Sequence, residues 1–405
     1  MVRRRLLLLV FLTTICVAAV SVGADAQQDL RAKAEQGFAL SQFDLGMKYY
    51  NGEGVAQDFA EAATWIRKAA EQGNAEAQNA LGILYVSGKG VPNDYTEGMR
   101  WFRKAAEQNL ASAQYNLGQM FYEGQGIPPD LAEAYRWYEK AAALGYADAA
   151  NNLGYMHEKG IGVPQDATKA IIYYLPLAEQ GHRAAQSNLG FMYMAGEGIP
   201  VDTEEALRWF RLAAAQGEPL SQYNLGNMYL QGLGVAQDFS TASQWYRKAA
   251  EQGLASAQFN LGNMYWKGDG VRQDHVEAMA WFLKAAAQGE ANAQNNIGVM
   301  YGRGDGVSKD NVEAARWHRL AAEQGDAIAQ YSLGLMCARG EGVPQSYIDS
   351  YKWLYLSASQ GNELAQKALE ALPGLMTPEM VAEAQGIARS WRPSAEKPKP
   401  LPEKR

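Results

Sequence analysis

Three sets of residues in this chain have the types and spacing to do chemistry. Residues 260–271, NLGNMYWKGDGV, set Gly268 and Gly270 one residue apart behind an aromatic pair, in a form close to a phosphate-cradling loop. Four histidines, His157, His182, His275 and His318, together with Cys337 offer metal-ligating and nucleophilic side chains. A series of asparagines, Asn116, Asn152, Asn188, Asn224, Asn260 and Asn296, offers amides that both donate and accept, which suits capture of a peptide backbone.

Their surroundings decide against the first two. A dinucleotide-binding loop needs G-x-G-x-x-G between a strand and a helix, and a P-loop needs Gly-Lys-Ser/Thr; neither string follows these glycines. The G-x-G string recurs along the chain and, except where Ser346 follows, leads into an aspartate whose charge repels phosphate. The glycines therefore read as positive-φ positions where the chain leaves a helix. The histidines are spread out with no H-x-x-x-H pair and no cysteine partner, so each reads as a surface or spacer residue and no metal is expected. Cys337 stands where other parts of the chain carry an aromatic residue and reads as a small buried hydrophobe. There is no G-x-S-x-G, and the S-x-x-K string Ser394 to Lys397 lies in a Pro-rich stretch without a pocket. No constellation of non-repeating polar residues emerges, so neither enzymatic activity nor a cofactor is expected.

What positions the asparagines is a repeat. The glycine of a Leu-Gly or Ile-Gly pair falls at Gly46, Gly82, Gly118, Gly154, Gly190, Gly226, Gly262, Gly298 and Gly334, a constant step of 36. With that glycine as position zero, each unit continues with the G-x-G loop, an Asp such as Asp58 or Asp94, and then Trp65, Trp101, Trp137, Trp209, Trp245, Trp281, Trp317 or Trp353, with Tyr173 substituting in unit four. Each unit reads as two helices. The first carries apolar or small residues at −5, −1, +2 and +3, as in Ala257, Leu261, Met264 and Tyr265, one stripe at helical spacing. The second opens on a capping box, as in Asp58 with Glu61 and Asp274 with Glu277, and ends at a glycine such as Gly73. The methionines at +2, Met120 to Met336, and the tryptophans are assigned to packing. Pro176, inside the second helix of unit four, removes a helix bond and is expected to kink it.

Taken together, "AQxxLGxxY", "GxGV", "D", "W" and "AAEQG" resemble the Sel1-like repeat family, relatives of tetratricopeptide repeats, over about residues 27–391. The resemblance implies an all-α fold: a right-handed superhelical α/α solenoid of nine 36-residue helix-turn-helix repeats plus C-terminal capping helices. First helices would line the concave face and second helices the outside. A partly erased tenth first helix at 364–372 and a last helix starting at Thr377-Pro378 suit terminal caps. The resemblance also implies a protein or extended-peptide partner, since the matching asparagines of tetratricopeptide relatives clamp extended peptides. Some cysteine-rich Sel1-like proteins have been proposed to bind or hydrolyse β-lactams, but their paired cysteines are absent here.

At ~100° per residue, positions −6, −3, −2, +1 and +5 of the first helix face away from its core stripe. This arc is the expected groove lining. It holds the asparagine column at −2 and, at −3 and +1, Tyr155, Phe191, Tyr223, Asn227, Phe259 and Asn263. Two readings stay open: these side chains bind a segment, with aromatic anchors supplying the energy, or they tie neighbouring units together.

Of the 405 residues 47% are apolar and 20% charged, which excludes a disordered chain. Arg3, Arg4 and Arg5, an apolar run over 6–22 and Ala24-Asp25-Ala26 read as a cleaved export signal, residues 1–26. Taking three arginines and Asp25 from 37 basic and 44 acidic residues leaves 34 and 43, a formal charge of −9, which argues against nucleic acid. No later stretch approaches ~20 apolar residues, so no membrane insertion is expected after cleavage, and Cys337 alone permits no intramolecular disulfide. The expected plan is a repeat array with caps over 27–392 and a Pro-rich flexible tail over 393–405. The expected protein is a periplasmic or secreted scaffold, an adaptor or regulator in a bacterial envelope. The alternatives are an enzyme acting on β-lactams or cell-wall material, and a structural spacer in an envelope or polysaccharide-export assembly.

Overall fold

The computed structural model describes residues 27–393; the expected leader and residues 394–405 of the expected tail lie outside them. The described residues form helices and no strand, in consecutive helix-turn-helix units. They fall into two compact parts, divided between Ala185 and Gln186 within the first helix of unit five. Each part is a stretch of α/α solenoid. The first holds a helix at 27–35 and units one to four. The second holds units five to nine, followed by helices Glu363–Ala371 and Pro378–Ser390.

Unit seven shows why these residues fold this way. Its first helix, Ala255–Lys267, stops at Gly268, whose φ of 82° lies in the left-handed region and whose N–H bonds the carbonyl of Met264. Gly270 is needed for a second reason: a Cβ there would stand 2.2 Å from the backbone of Phe239, in the neighbouring unit. The loop that looked able to cradle phosphate is a packing loop. The second helix, His275–Ala287, begins at Asp274, whose carboxylate accepts from the N–H groups of Val276 and Glu277 at 3.0 Å each.

Only half of the expected capping box forms. The N–H of Asp274, which a box glutamate would accept from, instead bonds the carbonyl of Tyr265 at 3.0 Å, closing the unit's own turn. The displaced glutamates turn outward to arginine in units two, three and five: Glu97 with Arg100, Glu133 with Arg136 and Glu205 with Arg208. These exposed pairs contribute little.

Inside, alanines let the helices approach, and the methionines at +2 are buried in the core as assigned, Met156, Met228 and Met300 completely. The tryptophans are buried or half-buried, several beneath a lysine one turn on, as with Lys284 at 3.8 Å from the Trp281 ring. Cys337 is buried among Ala329, Leu333 and Trp353, and burial pushes its thiol up to about 11. The second helix of unit four, Ala167–Glu179, runs through Pro176 without interruption. The residue whose carbonyl loses a bond there, Ile172, is 65% exposed.

Within each part a glutamine at −4 joins a unit to the one before it, except in unit four, where Ala150 stands. Gln258 donates Nε2 to the carbonyl of Ala250 in unit six at 3.0 Å, and its Oε1 accepts from Gln288 at 2.9 Å. The same two bonds recur at Gln42, Gln78, Gln222, Gln294 and Gln330. Buried amides so satisfied contribute about 1 kcal/mol per bond.

Candidate functional site

The first-helix face is built on a column twenty residues after the reference glycine: Ile66, Phe102, Tyr138, Tyr174, Phe210, Tyr246, Phe282, His318 and Leu354, all buried. The glycine exists for it. A Cβ at Gly226 would stand 2.5 Å from the Tyr246 ring, and one at Gly262 2.7 Å from Phe282. These rings form the floor against which groove residues lie.

Of the aromatic residues expected to line the groove, those at −3 sink onto that floor. Tyr223 lies 5.8 Å from Tyr246 and Phe259 5.9 Å from Phe282, ring centre to ring centre, and both are half-buried. The rings at +1 stand higher: Tyr155 is 40% exposed, and Phe191 is 38% exposed with its edge on Phe210 at 5.1 Å. Tyr223 and Phe259 thus pack on rings of their own unit, whereas Tyr115 in unit three also reaches the next first helix, its ring 4.9 Å from Tyr146 and its hydroxyl meeting Asn152.

The asparagines at −2 are half-buried and in use. In the first part, Asn116 donates to Asn79 at 2.9 Å, and Asn152 meets the hydroxyls of Tyr138 and Tyr115. In the second, Asn296 donates to Asn263 at 3.0 Å, Asn224 donates to the carbonyl of Leu220 at 2.8 Å, and Asn260 meets the Tyr246 hydroxyl. Burial raises the pKa of Tyr138 and Tyr246, and the Asn152 and Asn260 amides partly offset it. Asn188 is half-buried in the same column and is likewise engaged.

At +1 the balance differs. Asn227 accepts from the Tyr246 hydroxyl at 2.6 Å and Asn263 accepts from Asn296, each through Oδ1. Their Nδ2 groups bond no other described residue. Two amides with donors to spare thus stand in units six and seven, in the column that shows Phe191 in unit five. Two open clefts of about 630 and 600 Å³ contain none of these residues; one is lined by Arg247, Tyr265 and Asp274, the other by Tyr355 and Trp391.

Model matching and solved structures agree on kinship. The Sel1 repeat model matches nine consecutive segments, from 39–74 to 327–362. The chain belongs to the Sel1 repeat family. It is similar to a protective antigen of uropathogenic Escherichia coli displaying an SLR fold, with 34% identity over 89% of this chain and 85% of that one and a TM-score of 0.53. It is also similar to a Sel1 repeat protein from Oxalobacter formigenes, with 36% identity over 76% and 90% and a TM-score of 0.58. No curated protein matches. Sel1 repeat proteins generally mediate protein–protein interaction and are generally non-catalytic.

Two expectations are corrected. His157 and His318 are core residues, 5% and 4% exposed, because they occupy packing columns: His157 stands at +3 and His318 at +20. His318 bonds Asn295 at 2.9 Å, and burial pushes its pKa down to about 4. A non-repeating polar cluster also does assemble, around His157 with Tyr135, Glu139 and Tyr173. Among the described residues no group of three His, Cys, Asp or Glu side chains could hold a metal ion, and no helix is long and apolar enough to cross a membrane.

Proposed function

We propose that this Sel1 repeat protein is a non-catalytic scaffold that holds an extended segment of a partner protein along its first helices, backbone to amide. The observation that carries this reading is the +1 column of the second part, where Phe191, Asn227 and Asn263 keep an exposed ring or unspent amide donors while the neighbouring columns are committed to stacking. Aromatic anchors would supply most of the energy and the asparagines would set the register. Residues 1–26 read as an export signal, so the partner is proposed to be met in the envelope or outside the cell, where the scaffold serves as adaptor or regulator.

Site-specific photo-crosslinking tests the face. A photoreactive residue at Asn227 or Asn263 is expected to capture the same partner, and one at Val276 or Val312, exposed residues of second helices, is not. Capture confined to the second-helix positions would move the site to the other face.

A further inference from the structure

The last residue of the first helix, position +5, changes character along the second part. In units seven, eight and nine it is Lys267, Arg303 and Arg339, three exposed cations in consecutive units. Helix C-termini favour cations, but the first helices of units five and six end on Ala195 and Gln231, so the fold does not require them. Position +5 lies two turns beyond the asparagine column at −2, about 20° away around the helix, and one turn beyond +1. In unit three the +1 and +5 side chains touch, Gln119 donating to Glu123. The cations therefore border the face that carries Asn227 and Asn263.

Among the described residues little neutralises them. Of the three, only Arg339 makes an ion pair, with Glu341 at 3.8 Å; both side chains are exposed, and such a pair contributes little. The matching loop acids of units seven and eight, Asp269 and Asp305, pair with no described cation. Asp305 instead accepts from the Trp266 indole of unit seven at 3.4 Å, and Arg303 lies 6.0 Å from the centre of the same side chain's ring. The whole chain carries a formal charge of −7, so an acidic segment is repelled by most of the surface and drawn to this column.

The spacing of the cations selects a conformation. Neighbouring first helices touch, Asn296 of unit eight donating to Asn263 of unit seven, and helices in contact lie about 8–10 Å apart. A polyproline-II segment presents the same face every third residue, a rise of about 9 Å, and makes no internal hydrogen bonds, so its carbonyls are free to accept. One acid at every third residue thus meets one cation per unit. We propose that the segment held by the second part is acidic and polyproline-II in form, its carboxylates at every third residue paired to Lys267, Arg303 and Arg339 and its backbone carbonyls taken by Asn227 and Asn263. This rests on the groove reading above and adds the chemistry of the partner to it.

Fluorescence anisotropy with the full chain and three labelled peptides tests it: four Glu-Pro-Pro repeats, four Gln-Pro-Pro repeats, and a peptide of the first composition with its glutamates adjacent. The Glu-Pro-Pro peptide is expected to bind about tenfold tighter than either of the others, the combined effect of three exposed ion pairs. Lys267→Gln combined with Arg303→Gln and Arg339→Gln is expected to remove that advantage with helicity unchanged. An advantage that survives the triple variant overturns the assignment to these cations, and equal binding of the two glutamate peptides overturns the spacing. If all three peptides bind equally and all weaken in Asn227→Ala combined with Asn263→Ala, the acidic register falls and the groove stands. If none binds, the acidic register falls as well, and crosslinking at Asn227 and Asn263 judges the groove by itself.

Discussion

Between units six and seven, Gln258 bonds both the unit before it and its own Gln288, and Arg247 meets the Tyr265 hydroxyl; between units three and four the same places hold Ala150, Glu139 and His157. The two joints bury similar alanine and methionine surfaces. They differ in how their polar atoms are satisfied. The first joint pairs amide with amide, whereas the second leaves the buried Nδ1 of His157 without a hydrogen-bond partner among the described residues. In a repeat, neighbours that share one backbone plan can thus be given different stabilities through three or four side chains.

The largest expected effect belongs to His318, a buried imidazole that, unlike the amides, titrates. In the second part, His318 stays neutral down to about pH 4 while an unfolded histidine takes its proton near 6.5. The unfolded state then binds more protons, so stability is complete above pH 6.5 and falls as pH drops towards 4, by about 3 kcal/mol in total. Urea titrations at pH 7 and 4.5 should show the loss, and His318→Phe, which copies Phe282, should flatten the slope whatever its own stability. The glutamines come next. Gln258→Ala takes one of its bonds from the Ala250 carbonyl and one from the Gln288 amide, each of which keeps a bond to Gly253, and is expected to cost about 2 kcal/mol, about 1 for each bond lost. Gln114→Ala should cost less, about 1 kcal/mol, because its buried Oε1 already lacks a partner, Leu144 standing where Gln288 does in unit seven. Equal costs in urea unfolding would erase the distinction drawn between these positions. The smallest effect is a gain: Ala150→Gln should stabilise by about 1 kcal/mol or less.

The repeat step, the helix pair and the buried methionine, tryptophan and cysteine positions were legible in the sequence because every unit must offer its neighbours the same surface. The floor column was not. It mixes Ile66, Phe102, Tyr138, His318 and Leu354, so no letter recurs, and its signal lay in the glycine that makes room for it. The glutamines stood in plain sight in the "AQ" and "EQG" phrases, yet pairs 30 residues apart leave no local trace. His157 and His318 were misread as surface residues because they were weighed singly; set in register, each falls on a packing column. The candidate site was legible as a face, but the sequence could not show that the −3 rings sink onto the floor, tilted at 44° and 41° to its rings in units six and seven, while the +1 side chains keep exposure and donors.

The central claim is that the +1 amides bind a partner while the repeated columns hold the fold. The affinity of the partner recovered by crosslinking, measured for the parent chain and for Asn227→Ala combined with Asn263→Ala, tests it most directly. The account predicts a loss of roughly 1 to 3 kcal/mol, the range for unpairing buried hydrogen bonds, with helicity unchanged. An affinity equal to that of the parent chain would contradict it.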